Sequence, residues 1–167
     1  MTSKLKTDIL ETVSGSGTIA LNNQLSGMTS ASVPTGSVVQ VINASSSTAF
    51  STTSTSIVNT GFSATITPTS ASSKIIVVYS TTAWSANTTN MSVNLHLLRG
   101  STDLGTKAVG YAASAGYVAY PVTFSYFDTP STTSATTYSL WVRAGGANGT
   151  VAKATEVAQF TLMEIKG

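Results

Sequence analysis

The side chains that could carry acid–base or nucleophilic chemistry are scarce in this sequence. Among 167 residues there are one histidine, His96, six acidic residues and no cysteine. A serine nucleophile needs a histidine and a carboxylate within hydrogen-bonding distance, and serines are so frequent here that one near His96 would carry no information. The acidic residues form no close sequence pair for glycoside hydrolysis, although a pair brought together by folding stays open. We therefore expect no catalytic group, no cofactor and no metal site.

The sequence around the histidine is typical of a strand. In residues 93–98 the aliphatic side chains at odd positions alternate with Asn94, His96 and Leu98, so the two sets lie on opposite faces. The aliphatic stripe predicts a core face, and His96 is then expected to face solvent or a subunit contact. Asp103 and Asp128 lie in turn-like sequence and are expected to stabilise turns.

The composition excludes several classes of protein. Charged residues make up 8% of the chain, against roughly 25% in an ordinary soluble domain, and 26 serines and 29 threonines take their place. The eight lysines and arginines are scattered and the net charge is +2, so no basic stripe for nucleic acid is present. The longest apolar run is far shorter than a membrane span needs, and the N-terminus lacks the apolar region of a secretory signal. We expect neither nucleic-acid binding nor membrane insertion.

The elements that position these side chains are predicted to be strands. Thr, Val, Ser, Ile and aromatic residues dominate over helix formers, which favours an all-β protein. The pattern F-S-x-x-x-T-P occurs at 62–68 and again at 124–130, and each proline is expected to end a strand and begin a crossover. Two such corners indicate an antiparallel, jelly-roll-like β-sandwich. The predicted strands are 37–43, 57–67 with a bend at Gly61, 74–84, 92–99, 107–113, 117–127, 136–144 and 157–165.

Several predicted strands are apolar on both faces. In 74–84, for example, Ile76, Val78 and Trp84 alternate with a second apolar set. An antiparallel sandwich normally exposes one polar face of each sheet, so the second apolar face needs a cover, and a subunit interface is the simplest one. The alternative is that scattered exposed apolar residues are normal. The side chains predicted to lie in the subunit interface are Trp84, Trp141 and Met163.

The first 36 residues differ from the remainder. They hold too little apolar material for a core of their own, so the sequence predicts a division into an N-terminal segment, 1–36, and a β-sandwich head, 37–167. The segment is expected to dock onto another surface or to intertwine with its copies, and a frayed tail is the alternative. The predicted anchoring side chains are Leu5, Ile9, Leu10, Val13, Ile19 and Leu21.

Four segments carry a resemblance to a known class of protein. Residues 3–8, 15–28, 66–75 and 162–165 resemble small tail-fibre-like or structural virion proteins of tailed bacteriophages, notably marine ones. The two-faced strands are also similar to the trimeric jelly-roll heads of tumour-necrosis-factor and complement C1q type. The resemblance implies a homotrimer on the virion surface, assembled in the host cytoplasm. Its N-terminal segment would anchor to capsid or tail, and its head would serve a decoration or fibre role.

The sequence is also compatible with other functions. A receptor-binding tail fibre would place exposed tyrosines on host-surface saccharide, and the candidate ligand contacts are Tyr111, Tyr117 and Tyr120. A secreted carbohydrate-binding module or adhesin would lie beside a signal peptide or a catalytic domain in its gene. A hydrolytic enzyme is the remaining alternative, and turnover of host capsule by the pure protein would identify it.

Overall fold

The computed structural model describes residues 33–86, 91–112, 117–145, 152–153 and 158–167, all within the unit Val33–Gly167. These residues form strands and connections, and none of them lies in a helix that could cross a bilayer. The strands are β1 (Val38–Ser46), β2 (Val58–Ile66), β3 (Lys74–Ala86), β4 (Met91–Arg99), β5 (Thr102–Ala112), β6 (Tyr117–Asp128), β7 (Thr136–Ala144), β8 (Ala152–Lys153) and β9 (Ala158–Ile165).

The strands form two antiparallel sheets. Sheet one has the order β1-β9-β3-β6, with the short β8 paired to β3, and sheet two has the order β2-β7-β4-β5. The pairs β1 with β9, β2 with β7, β3 with β6 and β4 with β5 are those of one long hairpin rolled into two layers. This strand order is that of a jelly roll, so the predicted all-β sandwich is confirmed.

The connections confirm the two predicted corners. Pro68 follows β2 and precedes β3, and Pro130 follows β6 and precedes β7, so each connection passes from one sheet to the other. The bend at Gly61 is confirmed as well, because its φ is +77° and the β2 to β7 register shifts around it. β5 begins at Thr102 rather than 107, because Gly100, at φ +56°, allows a tight turn directly after β4.

The core lies between the sheets. The predicted aliphatic stripe of β4 is buried, and the inward side chains of β3, β7 and β9 pack against it. Four aromatic rings form its centre, with centroid separations from 4.9 to 6.2 Å, which suits tilted ring packing. These four rings belong to Phe62, Tyr79, Phe124 and Phe160. The division at residue 36 stays a prediction, and all six predicted anchoring side chains lie outside the described residues.

Candidate assembly surface

A row of apolar side chains crosses the outward face of sheet one. Val41 pairs with Met163, Met163 pairs with Ile76, and Ile76 pairs with Phe127. Directly paired residues share a face of the sheet, so the row runs through all four strands. With strands about 4.8 Å apart it is roughly 14 Å wide.

The row is open to solvent at both of its ends. Val41 is 55% exposed and Phe127 is 52% exposed, while Ile76 and Met163 between them are half-buried. A further pair on the same face, Val38 with Ile165, extends the apolar area, and we name these six residues the sheet-one patch. Contiguous apolar surface of this kind marks an interaction site more often than single exposed residues do.

Polar side chains border the sheet-one patch. Lys74 lies at one margin, with its Nζ 5.6 Å from the centroid of the Phe127 ring. At the opposite margin, the next rows of paired residues across the four strands become polar. The second of these rows holds only hydroxyl and amide side chains. An apolar centre with a polar rim is the usual anatomy of a protein interface. The residues of that second row are Ser45, Gln159, Ser80 and Thr123.

The structure places the predicted interface residues on two different surfaces. Met163 belongs to the sheet-one patch, whereas Trp141 lies on the outward face of sheet two and donates its indole N–H to Ser139 Oγ at 3.0 Å. Trp84 is in β3, but its side chain lies outside the part of the chain that the structure describes. Sequence reasoning missed Val38, Val41 and Phe127, because their grouping follows from the strand order rather than from any local pattern.

The predicted ligand contacts divide between the sheets. Tyr111 is in β5 of sheet two, and Tyr117 and Tyr120 are in β6 of sheet one. Their side chains lie outside the described residues, so a saccharide contact by these tyrosines stays a prediction.

His96 occupies a hydrogen-bonded cluster on sheet two. Its Nδ1 lies 3.2 Å from Asp103 Oδ2, and its Nε2 lies 3.0 Å from Thr106 Oγ1. An ionised carboxylate only accepts, so Nδ1–H donates to Asp103. The prediction that His96 faces solvent is wrong, because the side chain is buried against its own β4–β5 hairpin, with Trp141 as its neighbour on β7. A subunit contact at this position stays a prediction.

Thr106, His96 and Asp103 form the sequence of hydroxyl, imidazole and carboxylate found in a catalytic triad. Here these side chains stabilise the local backbone. Asp103 Oδ1 also accepts the Gly105 N–H at 2.7 Å, which confirms the predicted turn role of Asp103. Both imidazole nitrogens are occupied within one hairpin, at a place where the β4–β5 register shifts twice. The cluster therefore holds this irregular hairpin together. Among the described residues, no three metal-ligating side chains of the His, Cys, Asp and Glu types form a cluster.

Asp128 joins the two sheets, so the predicted turn role for it is wrong. β6 ends with this side chain pointing between the layers, where both carboxylate oxygens accept hydrogen bonds from Arg99 Nη1 at 2.9 and 3.0 Å. The buried Tyr138 hydroxyl donates to Asp128 Oδ2 at 2.6 Å. Burial, followed by this hydrogen bond, raises the pKa of Tyr138 far above its ordinary value.

Glu164 is fully buried on the same inward face of sheet one, since Ile75 pairs with both Glu164 and Asp128. Its Oε1 accepts the Thr69 N–H and the Thr69 hydroxyl, both at 2.7 Å, and its Oε2 accepts Gln40 Nε2 at 2.5 Å. Burial acts to raise the pKa of Glu164, but the polar groups around it outweigh burial, so the net shift is downward. The carboxylate ties the 67–73 connection to β9 and β1, and thereby joins two of the segments that carry the virion-protein resemblance.

Comparison with known proteins identifies structures rather than a family. No protein-family model and no curated protein matches the chain. It is similar to a structure of the Gx strain of infectious bursal disease virus, with 14% identity and a TM-score of 0.45, over 77% of this chain and 32% of the other. The VP2 subviral particle of that virus gives 15% identity and a TM-score of 0.45, over 78% and 34%. The chain spans about a third of those chains, and the fold assignment rests on its own strand order.

Proposed function

We propose that the chain is a non-enzymatic structural protein on the virion surface of a tailed bacteriophage, and that its heads associate as a homotrimer through the sheet-one patch. The observation that carries this proposal is the apolar row across β1, β9, β3 and β6 of sheet one, with Val41 and Phe127 more than half exposed. The decoration or fibre role follows from the resemblance of the terminal segments to tailed-phage virion proteins.

A second copy of the chain is the occupant that best matches the chemistry of the patch. Among the residues that the structure describes, Lys74 is the one charged side chain at its border, so a partner selected by opposite charge has little to recognise. The serine, threonine and glutamine side chains around the apolar centre can pair with those of neighbouring copies, because hydroxyls and amides both donate and accept. Three copies that bring their patches together at a three-fold axis satisfy this pairing with closed symmetry, whereas face-to-face pairing of two patches would give a two-fold dimer.

The N-terminal segment, residues 1–36, is the proposed anchor to capsid or tail. Its support is the resemblance of residues 3–8 and 15–28, together with the shortage of apolar side chains for an independent core. Deletion of residues 1–36 is expected to leave the far-UV dichroism of a β protein and to abolish incorporation into particles. Loss of the β signal would show that the segment is needed for folding rather than for anchoring.

The association itself is tested by a matched pair of substitutions. Val41→Asp places a charge in the sheet-one patch, and Val109→Asp places the same charge at an equally exposed valine, 58% exposed, on the edge strand of sheet two. By light scattering at micromolar concentration we expect about 51 kDa, three chains of 17.1 kDa, for the wild type and for Val109→Asp. Val41→Asp is expected near 17.1 kDa. A wild-type mass near 17.1 kDa, or dissociation by both variants, contradicts the proposal.

A further inference from the structure

A surface pocket opens at the end of the sandwich where Arg99 emerges. Its volume is about 220 Å³, the space of roughly seven waters at about 30 Å³ each, which suits one sugar ring. Its walls come from the β4–β5 turn, the β6–β7 connection and the start of β7. The lining residues are Arg99, Gly100, Pro130, Thr132, Ala135, Thr136 and Thr137.

The backbone of the pocket is held in a defined conformation. Gly100, at φ +56°, donates its N–H to Thr137 O at 2.9 Å, which joins the turn to β7. Ser131, in the connection between the lining residues Pro130 and Thr132, has φ +53°, a conformation that non-glycine residues adopt rarely and that the surrounding structure must impose. A preformed wall lowers the entropy cost of binding a small ligand.

Arg99 is the one charged side chain among the lining residues, and its guanidinium is already oriented. Its Nη1 donates to both carboxylate oxygens of Asp128. A guanidinium has five N–H donors, so the three on Nε and Nη2 have no partner within the described part of the chain. The Arg99 side chain is 29% exposed while that of Asp128 is 7% exposed, and Arg99 lines the pocket whereas Asp128 does not.

The charges around the pocket select the kind of ligand. Asp128 balances the charge of Arg99, so a dianion such as phosphate would meet a nearly neutral site with a carboxylate behind it. A single carboxylate group instead matches the planar Nε and Nη2 edge, which binds carboxylates with two parallel hydrogen bonds. Each threonine hydroxyl of the wall already makes one hydrogen bond within the protein, and a hydroxyl has further capacity to pair with a ligand hydroxyl. The chemistry therefore favours a monoanion that also carries hydroxyl groups.

We propose that this pocket binds an acidic sugar, with the sugar carboxylate on the free edge of Arg99 and the ring against the threonine wall. None of the lining residues belongs to the sheet-one patch. It lies in the loops at one end of the sandwich, a position that such folds commonly use for ligand binding.

The test is an NMR titration of the full chain with sodium D-glucuronate at constant ionic strength. We expect saturable shifts of the Gly100 and Thr137 amides at millimolar concentration, with D-glucose and sodium acetate each binding at least tenfold more weakly. Absence of a saturable shift with glucuronate contradicts the proposal. Equal binding of glucose contradicts the carboxylate contact, and equal binding of acetate contradicts the sugar contact.

Two variants test the residues, each with folding checked by thermal unfolding. Arg99→Lys keeps the charge opposite Asp128 but removes the planar fork, and Ala135→Tyr fills the pocket from its exposed rim while leaving the ion pair untouched. Each is expected to weaken glucuronate binding at least tenfold. The control is Arg143→Lys, on the outward face of sheet two opposite Asn94, which is expected to bind as the wild type does. Unchanged binding by folded Ala135→Tyr, or equal weakening in the control, overturns the assignment.

Discussion

Substitution of Glu164 tests whether a buried carboxylate locks the jelly roll at its closing strand. In Glu164→Gln the side chain keeps its shape and one oxygen, which can still accept the Thr69 N–H. The new amide nitrogen then faces Gln40 Nε2, which is itself a donor. Gln40 cannot invert freely, because the same Nε2 also donates to Thr67 O at 2.7 Å. One charge-assisted hydrogen bond is therefore lost or replaced by a clash between two donors.

The expected cost follows from that loss. Hydrogen bonds to charged groups contribute about 1.5–3 kcal/mol each, so Glu164→Gln is expected to lower the free energy of unfolding by about 2 kcal/mol. Urea unfolding at pH 7, followed by dichroism, measures it. The control is Ser63→Ala, an exposed position on β2 of the other sheet, which is expected to change stability by less than about 0.5 kcal/mol. Equal stability of Glu164→Gln and the wild type would refute the reasoning.

The pH dependence of the stability difference between the wild type and Glu164→Gln tests the direction of the Glu164 pKa shift independently. The pKa of Glu164 is lowered in the folded chain from its ordinary 4.5, so the carboxylate contributes stability that is present above pH 4.5 and is lost as the pH falls through the lowered folded value. The stability difference between wild type and Glu164→Gln is expected to be constant near neutral pH and to shrink in acid. A difference that grows as the pH falls below 4.5 would contradict the assigned direction.

Three further substitutions probe single contacts, each by urea unfolding. Tyr79→Phe is expected to leave stability unchanged or raise it by up to about 1 kcal/mol, since the buried hydroxyl has no hydrogen-bond partner among the described residues; burial raises its pKa to about 12. His96→Gln is expected to cost about 1 kcal/mol, because glutamine cannot hold both partners of the imidazole, and a loss above about 3 kcal/mol would show a larger role. Gly61→Ala is expected to cost about 1 kcal/mol or more because φ is +77°, and an unchanged stability would refute the strained bend.

The fold could be predicted from local pattern, whereas the surface could not. Alternation in residues 93–98 identified the buried stripe, and the threonine–proline corners identified where the chain changes sheets, because both signals are carried by neighbours in sequence. The sheet-one patch unites β1, β9, β3 and β6, and the alternation of β1 or β6 by itself does not reveal which strands become neighbours. The turn role predicted for Asp128 is wrong because local sequence does not show that its partner, Arg99, lies on a strand of the other sheet.

The central claim is that copies of the chain meet at the sheet-one patch, and cysteine cross-linking tests that contact most directly, while the light-scattering mass reports the number of copies. The natural sequence has no cysteine, so Val41→Cys carries a single thiol in the patch and Val109→Cys carries one outside it. With a short bis-maleimide reagent, Val41→Cys is expected to give covalent species joining copies of the chain, and Val109→Cys is expected to remain monomeric on a denaturing gel. Monomer from Val41→Cys, or the same covalent species from both variants, would contradict the account.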